Sequence, residues 1–342
     1  MVDDTKTGQD TGLSDGERPT LKTIARLSGL AVPTVSRALS DAPDIGVKTK
    51  EKVRKIARDI GYRRNRAGLR LRTGKTNVIA LVLGANKDVM NHTAQLIGSI
   101  ALELRETAYH LVVIPYFDDQ ALLDPVRYIV ETGSADGVIL NRIQPEDERV
   151  AYLKEHNLPF VTHGRTLDCH THAYFDFDNS EFGRAAIRKL VERGRKRILL
   201  VAPQLDQSYA HHTIAGARDA AKEAGIDVIL LEDGTSDMDS NEVAATVGRA
   251  LENDSGLDGL IASSPSAAIG ATMAAEIAGY SLGEDFDLVA KEAIPFLSAF
   301  RKEMLVVHED VSEAGSFIAR ALIQAIAEPG AKPMQKLTGL NS

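Results

Sequence analysis

The 342 residues, 44% of them hydrophobic, are enough for about two domains and a small additional head. With 40 Lys and Arg against 48 Asp and Glu the net charge is −8. No run approaches the roughly 18 apolar residues of a membrane span, residues 1–18 carry no hydrophobic signal core, and the lone Cys169 excludes an intrachain disulfide and a cysteine zinc site within one chain.

A cytoplasmic protein is therefore expected. Residues 1–18 are polar and acidic and read as a disordered arm. From Pro19 the apolar residues recur at helical spacing in three short runs: Leu21, Ile24 and Ala25; Leu30, Val35 and Leu39; Val53, Ile56, Ala57 and Ile60. Thr20 is a good N-cap for the first run, which stops at Ser28-Gly29. Pro33 fits the second only in a helix's first turn. The third runs from about Val47 to Ile60, between Gly46 and Gly61. On the second helix Val35 and Leu39 point inward, leaving Val32, Pro33, Ser36 and Arg37 on the opposite face. Residues 19–62 thus read as an all-α helix-turn-helix head whose second helix enters the major groove of DNA. Arg37 suits a bidentate contact to guanine, Thr34 and Ser36 suit phosphates, and Val32 and Pro33 suit a thymine methyl. Thr20, Ser40 and Asn65 complete the candidate DNA-facing set. The plainer alternative is a small helical bundle with a solvated basic face. Charge favours the first: residues 18–76 hold 16 Lys and Arg against 4 Asp and Glu, a balance of +12, and the remainder of the chain stands at −20.

Residues 63–76 read as a hinge. Asn65 can cap a short helix, marginal alone in water and further weakened by Gly68, so folding only on DNA is expected. A flexible basic linker is the alternative.

The run Leu21-Lys22-Thr23-Ile24-Ala25, then Val32-Pro33-Thr34-Val35-Ser36-Arg37-Ala38-Leu39, then Thr49-Lys50-Glu51-Lys52-Val53, Gly61-Tyr62 and Asn65-Arg66 resembles the signature of the LacI/GalR (lactose-repressor-like) transcription regulators across some 55 residues. The resemblance implies that Leu71 wedges into the minor groove and kinks the operator. It also implies that residues 77–342 form a two-lobed body like the periplasmic sugar-binding proteins, with a ligand between the lobes.

The residues themselves support two α/β lobes. Continuous apolar runs, such as 78–83, 111–114, 137–140 and 160–161, then 198–201, 228–231, 260–262 and 286–289, alternate with helical stretches. Both sheet faces are therefore covered and the sheets are parallel. The first lobe is expected over about 77–175 and 294–328, the second over about 176–293 and 329–342. By the family resemblance, Leu305-Val306-Val307-His308 and the helix after Asp310 return to the first.

Ligands of open α/β sheets sit beyond the carboxyl ends of strands. From those positions the candidate effector set is Asn86, Arg165, Asp178, Asn179, Tyr209, His212, Ser264 and Glu292: donors and acceptors for a small polyol, with an aromatic face. Each alone is equally readable as a cap or surface group. Three departures from the family pattern bear on the ligand. Thr213 stands where an arginine is usual, Ser264-Pro265 where Asn-Asp is usual, and Ala290-Lys291-Glu292-Ala293 where Gly-[Phe/Tyr]-Asp-Asp is usual. Neither Cys169 beside His170 and His172 nor His211-His212 has the spacing of a metal site, and no metal, cofactor or catalytic residue is expected. The function expected is a homodimeric repressor of carbohydrate-utilisation genes, reading a near-palindromic operator under control of a sugar-like effector. The alternative is an α/β sugar-processing enzyme with a fused DNA-binding head, which lacks a phosphate loop or nucleophile elbow.

Overall fold

The computed structural model describes residues 19–62, 74–84, 90–117 and 119–340. The expectations for the N-terminal arm, for Asn65 and Leu71 in the hinge and for Asn86 fall outside the described residues. The chain divides into two units, Met1–Thr76 and Asn77–Ser342.

In the first unit, α1 (Leu21–Ser28), α2 (Val32–Leu39) and α3 (Val47–Asp59) share a core of Ile24, Val35, Ala38, Val53 and Ala57. Thr20 and Thr23 form a reciprocal capping box at the start of α1, each hydroxyl accepting from the other's backbone N–H. Gly29, at φ 69°, ends the helix in the left-handed conformation that glycine adopts without strain. Pro33 lies in the first turn of α2. Basic residues of α3 knit the unit together. Lys50 and Arg54 meet the Asp41 carboxylate at 3.0 and 2.8 Å. Lys52 Nζ donates to Ser28 O at 2.9 Å, at the negative end of α1.

The second unit holds two all-parallel sheets. The first contains β1 (Val78–Gly84), β2 (His110–Tyr116), β3 (Gly137–Leu140), β4 (Phe160–His163), β5 (Ala173–Phe177) and β11 (Gln335–Thr338), in the order β11-β5-β4-β3-β1-β2. The second contains β6 (Arg197–Val201), β7 (Asp227–Leu230), β8 (Gly259–Ala262), β9 (Asp287–Glu292) and β10 (Leu305–His308), in the order β10-β9-β8-β6-β7. Helices cover both faces of each. In the first lobe, α4 (Met90–Leu104) and α12 (Val311–Ala327) cover one face, α5 (Asp124–Thr132) and α6 (Glu148–Glu155) the other. In the second, α7 (Asn179–Glu192) and α8 (Ser208–Ala224) lie opposite α9 (Ser240–Asn253) and α10 (Pro265–Ile277). Strand β1 shows why its sequence is apolar throughout. Ile79, Leu81 and Leu83 enter one core while Ala80 and Val82 enter the other.

Two strands lie elsewhere than expected. β10 stays in the second sheet beside β9, and only α12 after it returns to the first lobe. Conversely β11, in a span assigned to the second lobe, pairs with β5 of the first. Strand placement rests on long-range pairing that a four-residue run does not encode, and Gln335-Lys336-Leu337-Thr338 has no apolar run to announce it. The chain crosses between lobes after β5, after β10 and after β11, where Leu340 packs back against the second lobe's core. Helices α7 and α8 approach through paired glycines: a Cβ on Gly216 would lie 2.0 Å from Ser180 O, and one on Gly183 would lie 2.4 Å from Thr213 O.

Candidate functional site

Two surfaces carry chemistry. On α2, Val35 and Ala38 are fully buried while Val32, Pro33 and Arg37 are exposed, with Thr34 and Ser36 half-buried. Val32, Pro33 and Arg37 thus take no part in the core. Two members of the candidate set have local work instead: Thr20 caps α1, and the Ser40 hydroxyl donates to Ser36 O at 2.9 Å. The Arg37 guanidinium is paired with Asp44 in the loop before α3, both half-exposed.

The second surface is a cleft of about 410 Å³ in the body, at the carboxyl ends of strands from both sheets. The first lobe contributes Asn141 and Arg142 after β3, His163 at the end of β4, and Asp176 on β5. The second contributes Ser208 and Tyr209 on α8, Ser263 after β8, and Lys291 and Glu292 on β9. At its base, Lys291 Nζ lies 3.0 Å from Glu309 Oε2 and donates to Asn179 Oδ1 at 3.1 Å. The same ammonium faces the rings of Phe177, Tyr209 and Phe182 at 5.4, 5.7 and 5.9 Å. Burial opposes charge on Glu309, but Lys291 and His92 (Nε2 3.4 Å from Oε1) prevail and hold its carboxyl below the usual range. His92 stacks on His163 with centroids 5.4 Å apart. Burial, reinforced by His92, pushes His163 down to about 3, so it is a neutral imidazole at ordinary pH. Burial also pushes Asp176 up to about 6, against the pull of Arg165 Nε at 2.6 Å.

The ligand atoms of His92, His163 and Glu309 lie within 4.8 Å of one another, and those residue types suit a transition metal. Lys291 already supplies the positive charge at that carboxylate, so a dication there would meet an ammonium as neighbour.

Four residues of the cleft wall each carry a buried polar atom that stands out. Asn141 Oδ1, Arg142 Nη1, Ser208 Oγ and Ser263 Oγ are buried and have no hydrogen-bond partner among the described residues. Leaving such a group unpaired costs about 1–3 kcal/mol. All four belong to residues lining one cavity, two from each lobe. Arg142 adopts a left-handed φ of 53°, and a fully buried residue holds it there. Arg149 grips Asp147 through Nε at 2.9 Å and Nη2 at 2.7 Å, and Nη2 also donates to Asn141 O at 3.2 Å and Arg142 O at 2.9 Å. The loop so held meets the other lobe. Arg142 donates to Gln204 Oε1, Gln144 Nε2 donates to Asp206 Oδ2 at 2.9 Å, and Ser208 N donates to Ile143 O at 2.8 Å.

Of the residues picked from sequence, Asn179, Tyr209, Ser264 and Glu292 line the cleft. Three of these are already engaged. Asn179 bonds Lys291 and Phe177 O, and Ser264 caps α10 and donates to Ser236 O. Glu292 accepts from Leu297 N and pairs with the Ser298 hydroxyl. Arg165 acts one step behind, through Asp176. Asp178 and His212 are not among the lining residues. Asp178 caps α7, its Oδ1 accepting from Glu181 N at 3.0 Å. The His212 ring is pushed down by burial. Thr213 is buried and donates to Tyr209 O, so the position where the family usually has arginine takes no part in the cleft. The residues that replace these, Asn141, Arg142 and Ser263, follow strand ends directly, and that was their signal in the sequence.

A groove-reading head and a two-lobed sensor have matching family models. The family model "Bacterial regulatory proteins, lacI family" matches residues 20–65, and "Periplasmic binding proteins and sugar binding domain of LacI family" matches residues 76–333. This chain belongs to the LacI family. Among its LacI-family relatives, the HTH-type transcriptional regulator AglR of Rhizobium meliloti (strain 1021) is 31% identical over 327 residues, 93% of this chain and 90% of that one. The regulator RafR of Escherichia coli is 35% identical over 213 residues, 62% of this chain and 63% of its own. In three dimensions the LacI-family fold recurs in the lac repressor dimer bound to operator and anti-inducer (TM-score 0.81, 18% identity, 95% of this chain and 97% of that one). It recurs also in the CelR–cellobiose complex (TM-score 0.68, 23% identity, 95% and 98%).

Proposed function

We propose that this LacI-family regulator is a homodimeric repressor of carbohydrate-utilisation genes, which reads a near-palindromic DNA operator through α2 and is controlled by a saccharide bound in the cleft. The observation that carries the reading is a set of four buried polar atoms without a hydrogen-bond partner among the described residues, on cleft residues shared equally between lobes; of these, Arg142 Nη1 has only the Asp237 carboxylate nearby, at 3.7 Å. A polyol satisfying all four is held best at one interlobe angle, and differential affinity for two angles is what an effector needs. The solved CelR complex contains cellobiose and the lac repressor complex contains operator DNA, which supports both ligand classes by likeness.

A second copy has a place to bind. On α10, Ile269, Met273 and Ile277 repeat every four residues and are 39%, 38% and 84% exposed, a stripe of apolar surface along one helix face. The same helix begins at the cleft, where Ser264, Pro265 and Ile269 line it. A ligand that shifts α10 therefore shifts the dimer interface. The cleft reads as a sensor and not as a catalytic centre, because its carboxylates are committed to neighbouring cations or to a helix turn. No described helix is long and apolar enough to cross a membrane, and a DNA target supports a cytoplasmic location.

The test is fluorescence anisotropy of the full chain on palindromic duplexes selected from a random pool, with and without a saccharide panel. A selected palindrome preferred over scrambled duplex, with an affinity that one saccharide changes, is the expected result. Coupling is reciprocal, so that saccharide must bind free and operator-bound protein with different affinities. No preference for any duplex would refute the reading.

A further inference from the structure

The cleft's charges and its mouth narrow the effector class, on the footing that the cleft is a saccharide site. Each cation of the cleft is already matched. Arg142 faces Asp237 at 3.7 Å, Arg165 holds Asp176 at 2.6 Å, and Lys291 holds Glu309 at 3.0 Å. Glu292 adds a further negative charge, and His163 is neutral. A phosphate or carboxylate entering this cavity finds, among the described lining residues, no cation without a carboxylate neighbour, and it meets the carboxylates of Asp176, Asp237, Glu292 and Glu309 on its wall. Desolvating such an anion without a partner is strongly unfavourable. The ligand the walls accept is uncharged.

The cavity is also larger than one sugar ring requires. Its volume of about 410 Å³ lies in the range that encloses drug-sized molecules. Two phenyl rings stack next to it: Phe296, which lines the cavity, and Phe300, with centroids 5.9 Å apart and planes at 12°. They are 47% and 73% exposed, an unusual cost for two large apolar side chains with no core role. The platform is tied down, since Glu292 accepts from the backbone N–H of Leu297, the residue after Phe296. A flat aromatic face beside a polar cavity matches a pyranose, whose ring presents C–H groups on its faces and hydroxyls at its rim.

We propose that the effector is a neutral saccharide of at least two pyranose rings. The inner ring is hydrogen-bonded by Asn141, Arg142, Ser208 and Ser263, and the outer ring is stacked on Phe296. Glu292, expected from the sequence to grip hydroxyls, instead positions that platform.

Isothermal titration of the full chain tests this with cellobiose, maltose, melibiose and trehalose, their component monosaccharides, glucose 6-phosphate and glucuronate. One neutral disaccharide should bind at least about tenfold (1.4 kcal/mol) more tightly than either component sugar, and the charged sugars at least tenfold more weakly than it. Phe296→Leu keeps an apolar side chain but not the ring and should collapse the disaccharide-to-monosaccharide ratio toward one. Phe296→Tyr should restore the ratio, which a merely structural role for the side chain would not require. A monosaccharide that binds as tightly as any disaccharide overturns the two-ring proposal while leaving the saccharide reading intact. Tighter binding of a charged sugar, or an unchanged ratio in Phe296→Leu, also overturns the proposal. If nothing in the panel binds, this proposal and the saccharide reading of the cleft fall together.

Discussion

Arg149→Met probes what holds the cleft in shape. Arg149 is fully buried, as is its partner Asp147 at the side chain, so the substitution strands a carboxylate in the interior. Removing one partner of such a pair costs about 3–5 kcal/mol. Asp147 keeps two backbone donors, Gln144 N at 3.1 Å and the residue-149 N–H at 3.0 Å, which favours the lower end. Two carbonyls, those of Asn141 and Arg142, lose the donor Nη2, at about 0.5–1.5 kcal/mol each. A total near 4 kcal/mol is expected for the body, read as a fall of about 1 M or more in the urea midpoint. Arg142 then has little reason to stay left-handed, a conformation that costs about 1–3 kcal/mol. The two first-lobe effector groups should lose their places and effector affinity should fall at least tenfold. Adding Asp147→Asn to Arg149→Met removes the stranded charge and should recover part of the stability but not the affinity. A midpoint change worth less than about 1 kcal/mol, or unchanged effector binding in Arg149→Met, would show that the pair does not position the loop.

Further outcomes concern the head, the interface and acid stability. Arg37→Ala should cost about 1–3 kcal/mol on the preferred duplex and much less on random DNA, and equal loss on both would count against base reading. Asp44→Asn releases Arg37 from an exposed pair worth at most about 1 kcal/mol, so anisotropy should show affinity rising by no more than about fivefold; a decrease would mean that Asp44 orders the reader. Ile277→Asp places a charge on the exposed α10 stripe and should give a folded monomer by sedimentation with a near-native far-UV spectrum; a persisting dimer would place the interface elsewhere. His172 is buried and its pKa is pushed down to about 4, first by burial and then by Lys154. Between pH 6.5 and 4 the unfolded chain binds a proton that the folded one refuses. Its contribution to stability is therefore intact above pH 6.5 and is lost as pH falls, by about 3 kcal/mol at pH 4. His172→Gln should flatten that part of the pH–stability curve, and an unchanged slope would refute the assignment.

What was legible in the sequence depended on whether a residue's partner is local. The three helices of the head follow from 3.6-residue periodicity, and the parallel sheets from unbroken apolar runs such as Val78–Leu83, because both signals live within a few residues of chain. The sheet membership of β10 and the existence of β11 depend on pairing with β9 and β5, and no local pattern carries that. The effector residues divide along the same line. Asp178 is followed three residues later by Glu181, and Ser264 by Pro265, which are helix-start signatures readable without a structure. Each of these two side chains has a local claim on it from the first turn of the helix it starts. Asn141, Arg142 and Ser263 sit equally at strand ends but have no such local claim, and their atoms are the ones left unpaired. A polar residue at a strand's carboxyl end is available to a ligand to the extent that the next helix does not use it. The same accounting explains the departures from the family pattern. Thr213 bonds back to its own helix and the Ser264 hydroxyl is engaged in capping the next, while Arg142 brings a guanidinium into the cleft from the opposite lobe. A donor moved across the cleft changes which interlobe angle a bound sugar favours. The effector that relatives with arginine at the Thr213 position accept is therefore a poor guide to the stereochemistry selected here.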